Sequence, residues 1–550
     1  MGKTQKKKMT NFLVQGSILA VAGLICRLIG LIYRMFMIPS FGKEGLGYYD
    51  AAYSIYNIAL IVSSYGMPLA VSKMVAAKVA KNEYKNEKRV LLASLSFAIT
   101  TGFITAAVVF FGADFFALKI LKSPNCALPL KVLSPTIFLC AIMGTLRGYF
   151  QGNGTMIPTS VSQILEQIVN AIVSVVATMT FMRAFSHKSN VRAYGASGGT
   201  LGTTIGALVG LIVLIVIFIR SNNKRKENIK NDTHEVADTY KDIYKLIIWT
   251  IVPVILSQTL YNLNAVVDRA VYNHMVDDSE AVRASNIGLY AQYVLLVNIP
   301  VAIATALGNS IVPVIVAERV NNNIEGMKSK ISAAIKFNML IAIPATVGFI
   351  VLARNITDLL FPVPDLRIAK SQADILMVGA IAVVFYALST ISNAILQAMN
   401  YMRLPVIHSA ISFVVHLGFI YLFLKPGLLC KNGLGIYSLA IGNAIFALGV
   451  CILNWRSIAK KLEYKQEIKT TFVIPTVCAI IMGAVAFGVA FGVKLILHSN
   501  ILATLVAIFV AVIVYAIALV VFKGITKDDL MRMPKGNAIY RLFCKVHLMK

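Results

Sequence analysis

The stretch LICRLIGLIYRMFMIPS, Leu24 to Ser40, has the apolar density of a membrane-spanning helix and yet carries Arg27 and Arg34. A bilayer core of about 30 Å needs roughly 20 consecutive apolar residues, and the run from Phe12 to Ile38 that contains this stretch is long enough. An arginine in the middle of such a span costs about 2.5 to 3.5 kcal/mol on insertion scales, so it marks a functional position by default. Arg34 follows Arg27 by about 700° of helical rotation, which returns it to nearly the same face roughly 10 Å along the axis. The two cations therefore form a stripe suited to line a cavity. The competing arrangement pairs each with a carboxylate, Asp50 on the next helix being the partner for Arg34.

The rest of the chain repeats the apolar pattern. Of its 550 residues, 58% are hydrophobic and 14% charged, where soluble proteins average about 25% charged. The length rule gives about 14 spans. Six run from Phe12 to Ile219, beginning Phe12 to Ile38 and Gly47 to Val71. Six more run from Leu246 to Trp455, beginning Leu246 to Tyr272 and including Ala373 to Ala398, and two close the chain between Phe472 and Phe522. The expected fold is all-α and polytopic, two six-helix lobes plus two carboxy-terminal helices. The lobes are 1–219 and 246–455, joined by a basic linker at 220–245, and 456–550 holds the last two helices and a basic tail. Parallel echoes link the lobes: IYRMFM then GLGYYDAAY in the first, VDRAVY then GLYAQY in the second.

The net charge of +28 does not signal nucleic acid, because most Lys and Arg fall in short segments between spans and no aromatic-basic platform occurs. These cations act as topology signals, and their excess on the side of the amino terminus places both termini in the cytoplasm. The chain carries no GxxxxGK[ST] and no HExxH, so neither nucleotide hydrolysis nor zinc proteolysis is expected, and the chain is not read as an enzyme. The glycine-rich YGASGGTLGTTIGALVG, Tyr194 to Gly210, reads as small residues that let helices approach closely. Seven scattered cysteines form no CxxC and no metal-spaced cluster, so no cofactor is expected. They read as small apolar packing residues, the alternative being a disulfide between Cys126 and Cys430, both assigned to outer loops.

Other polar groups inside spans are few. Arg147, at the end of the fourth span in TLRGYFQG, either meets phosphates at the interface or snorkels to it. Gln163, Glu166, Gln167 and Asn170 make a polar stripe on the fifth, directed at the bundle interior. Asp268 and Arg269 lie near the outer end of the seventh. Tyr53, Tyr56 and Asn57 supply polar contacts to a sugar, or the tyrosines anchor at the interface.

The segments CRLIGLIYRMFMIPSFGKEGLGYYDAAYSIYNIALIVSSYGMPLAVSKMVA from Cys26 and LRGYFQGNGTMIPTSVSQILEQIVN from Leu146 resemble the signature regions of the SpoVB/YtgP-type, MurJ-like lipid-linked oligosaccharide flippases. These belong to the multidrug/oligosaccharidyl-lipid/polysaccharide (MOP) exporter superfamily. The resemblance implies a multi-pass protein of the bacterial cytoplasmic membrane, two lobes that alternate in access, and an undecaprenyl-diphosphate-linked sugar such as lipid II as cargo. It implies cavity arginines on the diphosphate, with Arg27 and Arg34 at matching positions; the polar groups read from the spans themselves, Asp50, Tyr53, Asn57, Arg147, Glu166 and Arg269, are the further substrate-binding candidates. Membrane lipids and cell-wall or polysaccharide synthesis enzymes are the implied partners, and a coupling ion is left open. The chain departs from the family at Ser63 and Ser64, where a second-helix arginine is expected, in LYAQYVLLVNIP, which lacks an eighth-helix arginine, and at Asn170, where a basic residue is common. The alternative within the superfamily is an ion-coupled multidrug exporter of the MATE type, in which Glu166 and Asp50 would bind a cationic drug.

Overall fold

The computed structural model describes residues 3–234, 239–427 and 433–526, and every regular element among them is helical. Cys430 and the basic tail from 527 lie outside the described residues. Cys126 is a free, buried thiol.

The first compact unit is Met1–Gly288. It contains α1 (Lys3–Leu60), α2 (Met67–Ala80), α3 (Tyr84–Phe115), α4 (Ala127–Gly152), α5 (Ile157–Ala184), α6 (Val191–Arg220), α7 (Asn222–Lys230), α8 (Tyr240–Met275) and the start of α9 (Glu280–Val320). α1 is two helices joined at Gly42, whose φ of 71° lies in the left-handed region that glycine adopts without a Cβ penalty. A π-helical turn at Ile61–Tyr65 then carries Ser63 and Ser64, both buried, with their hydroxyls 2.9 Å apart. The apolar core is built from Met67 and Val71 of α2, Leu91 of α3, Leu146 and Tyr149 of α4, Leu214 of α6 and Ile247 of α8. α8 thus packs with the first six expected spans.

The α5–α6 contact depends on side chains being absent. A Cβ at Gly202 would lie 2.1 Å from Ser174 Oγ, and one at Gly206 would lie 2.7 Å from the Glu166 carbonyl oxygen. These glycines let two backbones meet where hydrophobic exclusion from water gives no drive, as expected for helices packed in lipid.

The second unit, Leu289–Lys550, holds the remainder of α9, then α10 (Ile324–Val351), α11 (Ala353–Leu360), α12 (Leu366–Gly379), α13 (Ala382–Ala398), α14 (Arg403–Leu424), α15 (Tyr437–Leu462), α16 (Ile474–Leu497) and α17 (Asn500–Val521). Its helix starts are capped by short polar side chains, Asn323 accepting from the Gly326 amide at 2.9 Å and Asp365 from the Arg367 amide at 2.8 Å. The last two helices pack on each other, α16 also against α10 and α17 against α11.

Among the described residues eleven helical stretches are long and apolar enough to cross a membrane, or twelve if α12 and α13, bent by 41°, form one span. The chain is therefore an all-α polytopic membrane protein. The count differs from the expected total of about 14 for two reasons. The stretch Val21–Ala80 counts once although it covers parts of both of the first two expected spans, and α8, over the seventh, is not among the eleven. Large apolar side chains cover the outer surface, Phe111 being 82% exposed, as suits helices whose solvent is lipid.

Candidate functional site

The fourth and fifth spans are joined by a tight turn after Gly152, and Pro158 opens α5, where its missing amide costs nothing. This hairpin sets Arg147 against Glu166. Arg147 Nη2 donates to Glu166 Oε2 at 2.7 Å and Nε donates to Ser162 Oγ at 3.2 Å, with the two charged side chains 15% and 19% exposed. Arg147 neither snorkels nor stands free at the interface, because its nearest counter-charge is one hairpin away. A cavity of about 160 Å³ opens beside the pair, lined by Gly23 and Cys26 of α1, Arg147 of α4, and Gln163, Glu166 and Gln167 of α5. Three of the four residues of the polar stripe thus face one space. The fourth, Asn170, is buried and accepts from Ser174 Oγ at 2.9 Å and Thr203 Oγ1 at 3.4 Å.

Arg34 is held by aromatic groups. Its guanidinium lies 5.6 Å from the Tyr33 ring centre, within the range of cation–π attraction, and within electrostatic reach of the Tyr49 and Tyr53 hydroxyls. The Tyr33 and Tyr49 hydroxyls are 3.4 Å apart, and the Tyr49 and Tyr53 rings are 4.5 Å apart between centres. Tyr53 ends the chain with a hydrogen bond to Thr203 Oγ1. Tyr53 therefore contributes to seating Arg34, while Tyr56 is only 4% exposed and has no surface to offer a ligand.

Asp50 does not neutralise Arg34. Its carboxylate accepts from Nε of Arg269 at 2.6 Å, and Nη2 of the same arginine completes a forked ion pair. The reason is packing. Gly47, one turn before Asp50, meets the start of α9 so closely that a Cβ there would lie 1.9 Å from the Ala284 carbonyl oxygen. That approach brings Asp50 to α8 instead of back along α1. Arg269 is 4% exposed, so it belongs to the interior of the unit and not to an interface layer. These helices are tied further by Glu280, whose carboxylate accepts from the Asn125 backbone amide at 2.9 Å and from Asn125 Nδ2 at 2.9 Å.

Arg27 and Asn57 are exposed, and among the described residues neither has a polar partner. Arg27 shares a face of α1 with Gly23, Cys26, Gly30 and Arg34, so the cavity wall and the two arginines form one stripe. Gly23, Cys26, Tyr33 and Tyr49 escaped the sequence reading. Their signal was available, since Gly23 and Tyr49 stand four residues from Arg27 and Tyr53 and Cys26 and Tyr33 directly precede the two arginines, but none bears a charge that draws attention. Among the described residues no three His, Cys, Asp or Glu side chains come together as a metal site.

Comparison with known proteins gives one answer. The polysaccharide biosynthesis protein family model matches residues 13–318, and the MatE model matches 253–422. Stage V sporulation protein B of Bacillus subtilis (strain 168) is 26% identical over 537 residues, which cover 95% of this chain and 98% of that protein. Lipid II flippase MurJ of the same organism is 27% identical over 428 residues, 74% of this chain and 77% of that protein. A solved structure of lipid II flippase MurJ in an inward closed conformation shares the fold, with a TM-score of 0.67 at 17% identity over 94% of this chain and 99% of that one. An inward-facing MATE family multidrug transporter of the MOP superfamily follows, with a TM-score of 0.62 at 15% identity over 80% and 98%. The chain belongs to the polysaccharide biosynthesis protein family, in a SpoVB- and MurJ-like group of the MOP exporter superfamily.

Proposed function

We propose that this protein is a flippase carrying an undecaprenyl-diphosphate-linked sugar from the inner to the outer leaflet of the bacterial cytoplasmic membrane, by alternating access and with both termini in the cytoplasm. The observation that carries this reading is the stripe on α1. Arg27 and Arg34 are two guanidiniums on one face of a membrane helix, and among the described residues neither is paired with a carboxylate. A cation placed at that depth without a counter-ion is stabilised by an anionic cargo that brings its own charge, through charge-assisted hydrogen bonds to phosphate. The match to a protein named for lipid II flipping supports the same cargo class.

Charge also supplies a driving force. With the cytoplasm negative, moving about two negative charges outward across roughly 100 mV is favoured by about 4 to 5 kcal/mol. The prenyl tail stays in lipid throughout.

The MATE-like alternative needs interior carboxylates free to take a cation. Asp50 and Glu166, the two residues suited to that role, each already hold an arginine. The test is translocation in proteoliposomes with a small panel of undecaprenyl-linked sugars, scored beside an organic cation. Movement of at least one sugar lipid and none of the cation is expected. Cation efflux with every sugar lipid left in place would assign the chain to the drug exporters.

A further inference from the structure

The α1–α4–α5 cavity differs in chemistry from the arginine stripe beside it. Its one cation, Arg147, is neutralised at 2.7 Å by Glu166, so the space is polar but carries no net charge. An incoming phosphate would meet the Glu166 carboxylate as a like charge, and the guanidinium charge that would attract it is already offset. A neutral group dense in hydroxyls meets no such opposition.

The wall presents the mixture that such a group needs. Glu166 bonds Arg147 through Oε2 only, which leaves Oε1 as an acceptor. Gln163 Oε1 is shielded from solvent and accepts no hydrogen bond. A shielded carbonyl oxygen without a donor is costly and calls for one from a ligand or an ordered water. The Gln163 and Gln167 amides and the uncommitted Arg147 Nη1 supply donors. Gly23 adds no side chain to the α1 wall, and nothing lies within 4 Å of where its Cβ would be. At about 160 Å³ the space is several times the ~30 Å³ that one water takes in the liquid, so it holds more than a single bridging molecule.

We infer that this cavity is a subsite for the hydroxyl and amide groups of the cargo's sugar, with Gln163, Gln167 and Glu166 as its hydrogen-bonding residues, and that the diphosphate binds elsewhere, on the Arg27–Arg34 stripe. The inference rests on the flippase reading and assigns the cargo's two chemistries to two places on one helix face. It makes the chain selective for a sugar-bearing lipid, because a wall built to bond hydroxyls is left unsatisfied by a cargo that lacks them.

The test compares undecaprenyl-diphosphate-linked N-acetylglucosamine with bare undecaprenyl diphosphate in proteoliposomes holding the full chain. Wild type is expected to prefer the sugar-bearing lipid. In Gln163→Ala and in Gln167→Ala that preference should fall about fivefold or more. A ratio unchanged in both variants overturns the inference while leaving transport, and so the flippase reading, in place. If the wild-type chain moves neither lipid, the flippase reading itself fails, and the cavity is then judged by binding alone. Cys26 lines it, so its alkylation by N-ethylmaleimide, followed on the Cys26 peptide by mass spectrometry, should slow at least threefold with the sugar-bearing lipid and not with the bare one. Equal protection by both lipids, or by neither, removes the sugar subsite.

Discussion

At the scale of single residues, the sequence showed which ionisable side chains stand in the membrane but not whom they meet. Arg147 and Glu166 were legible as charges, and their separation by one hairpin makes the pairing intelligible afterwards. Asp50 and Arg269 are 219 residues apart, and no local pattern could join them. The nearer cation, Arg34, drew Asp50 on paper, and the close approach at Gly47 overrode that choice. Removing one partner of an enclosed ion pair leaves an uncompensated charge, which costs about 3 to 5 kcal/mol. Asp50 retains some exposure, with 21% of its side chain accessible, so the lower end applies. Asp50→Ala should lower the thermal unfolding midpoint in detergent, and Arg269→Ala should do the same. The double variant should lose clearly less than the sum, and strict additivity would show that the two side chains do not interact.

At the scale of elements, most apolar runs of span length coincide with helices long and apolar enough to cross a membrane, because burial in lipid demands an uninterrupted apolar helix. The division between the first two was legible as well, since Lys43 and Glu44 interrupt the apolar run where α1 turns at Gly42. The π-helical turn at Ile61–Tyr65 was not, because it lies inside the second expected span. The basic segment after Arg220 read as a plain linker, yet it contains α7, and Asp232 just beyond it is fixed to the start of α3. The Asp232 carboxylate accepts from the Lys85 backbone amide at 2.7 Å and from the His234 amide at 2.8 Å. Those bonds, the Lys85 amide first, pull the Asp232 pKa down from 3.8 to about 2. A lowered carboxyl pKa means that the attachment is fully present above the ordinary value of 3.8 and is lost as pH falls toward about 2. Hydrogen exchange at the Lys85 amide should therefore show the same protection from pH 8 to pH 5, once corrected for intrinsic rate. In Asp232→Ala it should exchange faster at every pH. Protection that fades between pH 7 and pH 5 would mean that a group other than Asp232 holds this contact.

At the scale of the whole molecule, family and fold were legible because the signatures sit in two long stretches, from Cys26 and from Leu146, that also build the site. The cavity was not, since it exists only where α1, α4 and α5 converge, and the glycines that permit the α5–α6 approach look in sequence like generic small residues. The proposed transport depends on the α1 arginines gripping an anion. The most direct measurement is headgroup translocation of an undecaprenyl-diphosphate-linked sugar in proteoliposomes by wild type and by the Arg27→Ala, Arg34→Ala double variant, with membrane insertion checked in both. Transport should fall by about a hundredfold or more, equivalent to about 3 kcal/mol of lost stabilisation, while insertion is unchanged. A double variant that inserts and still transports at the wild-type rate would contradict the claim.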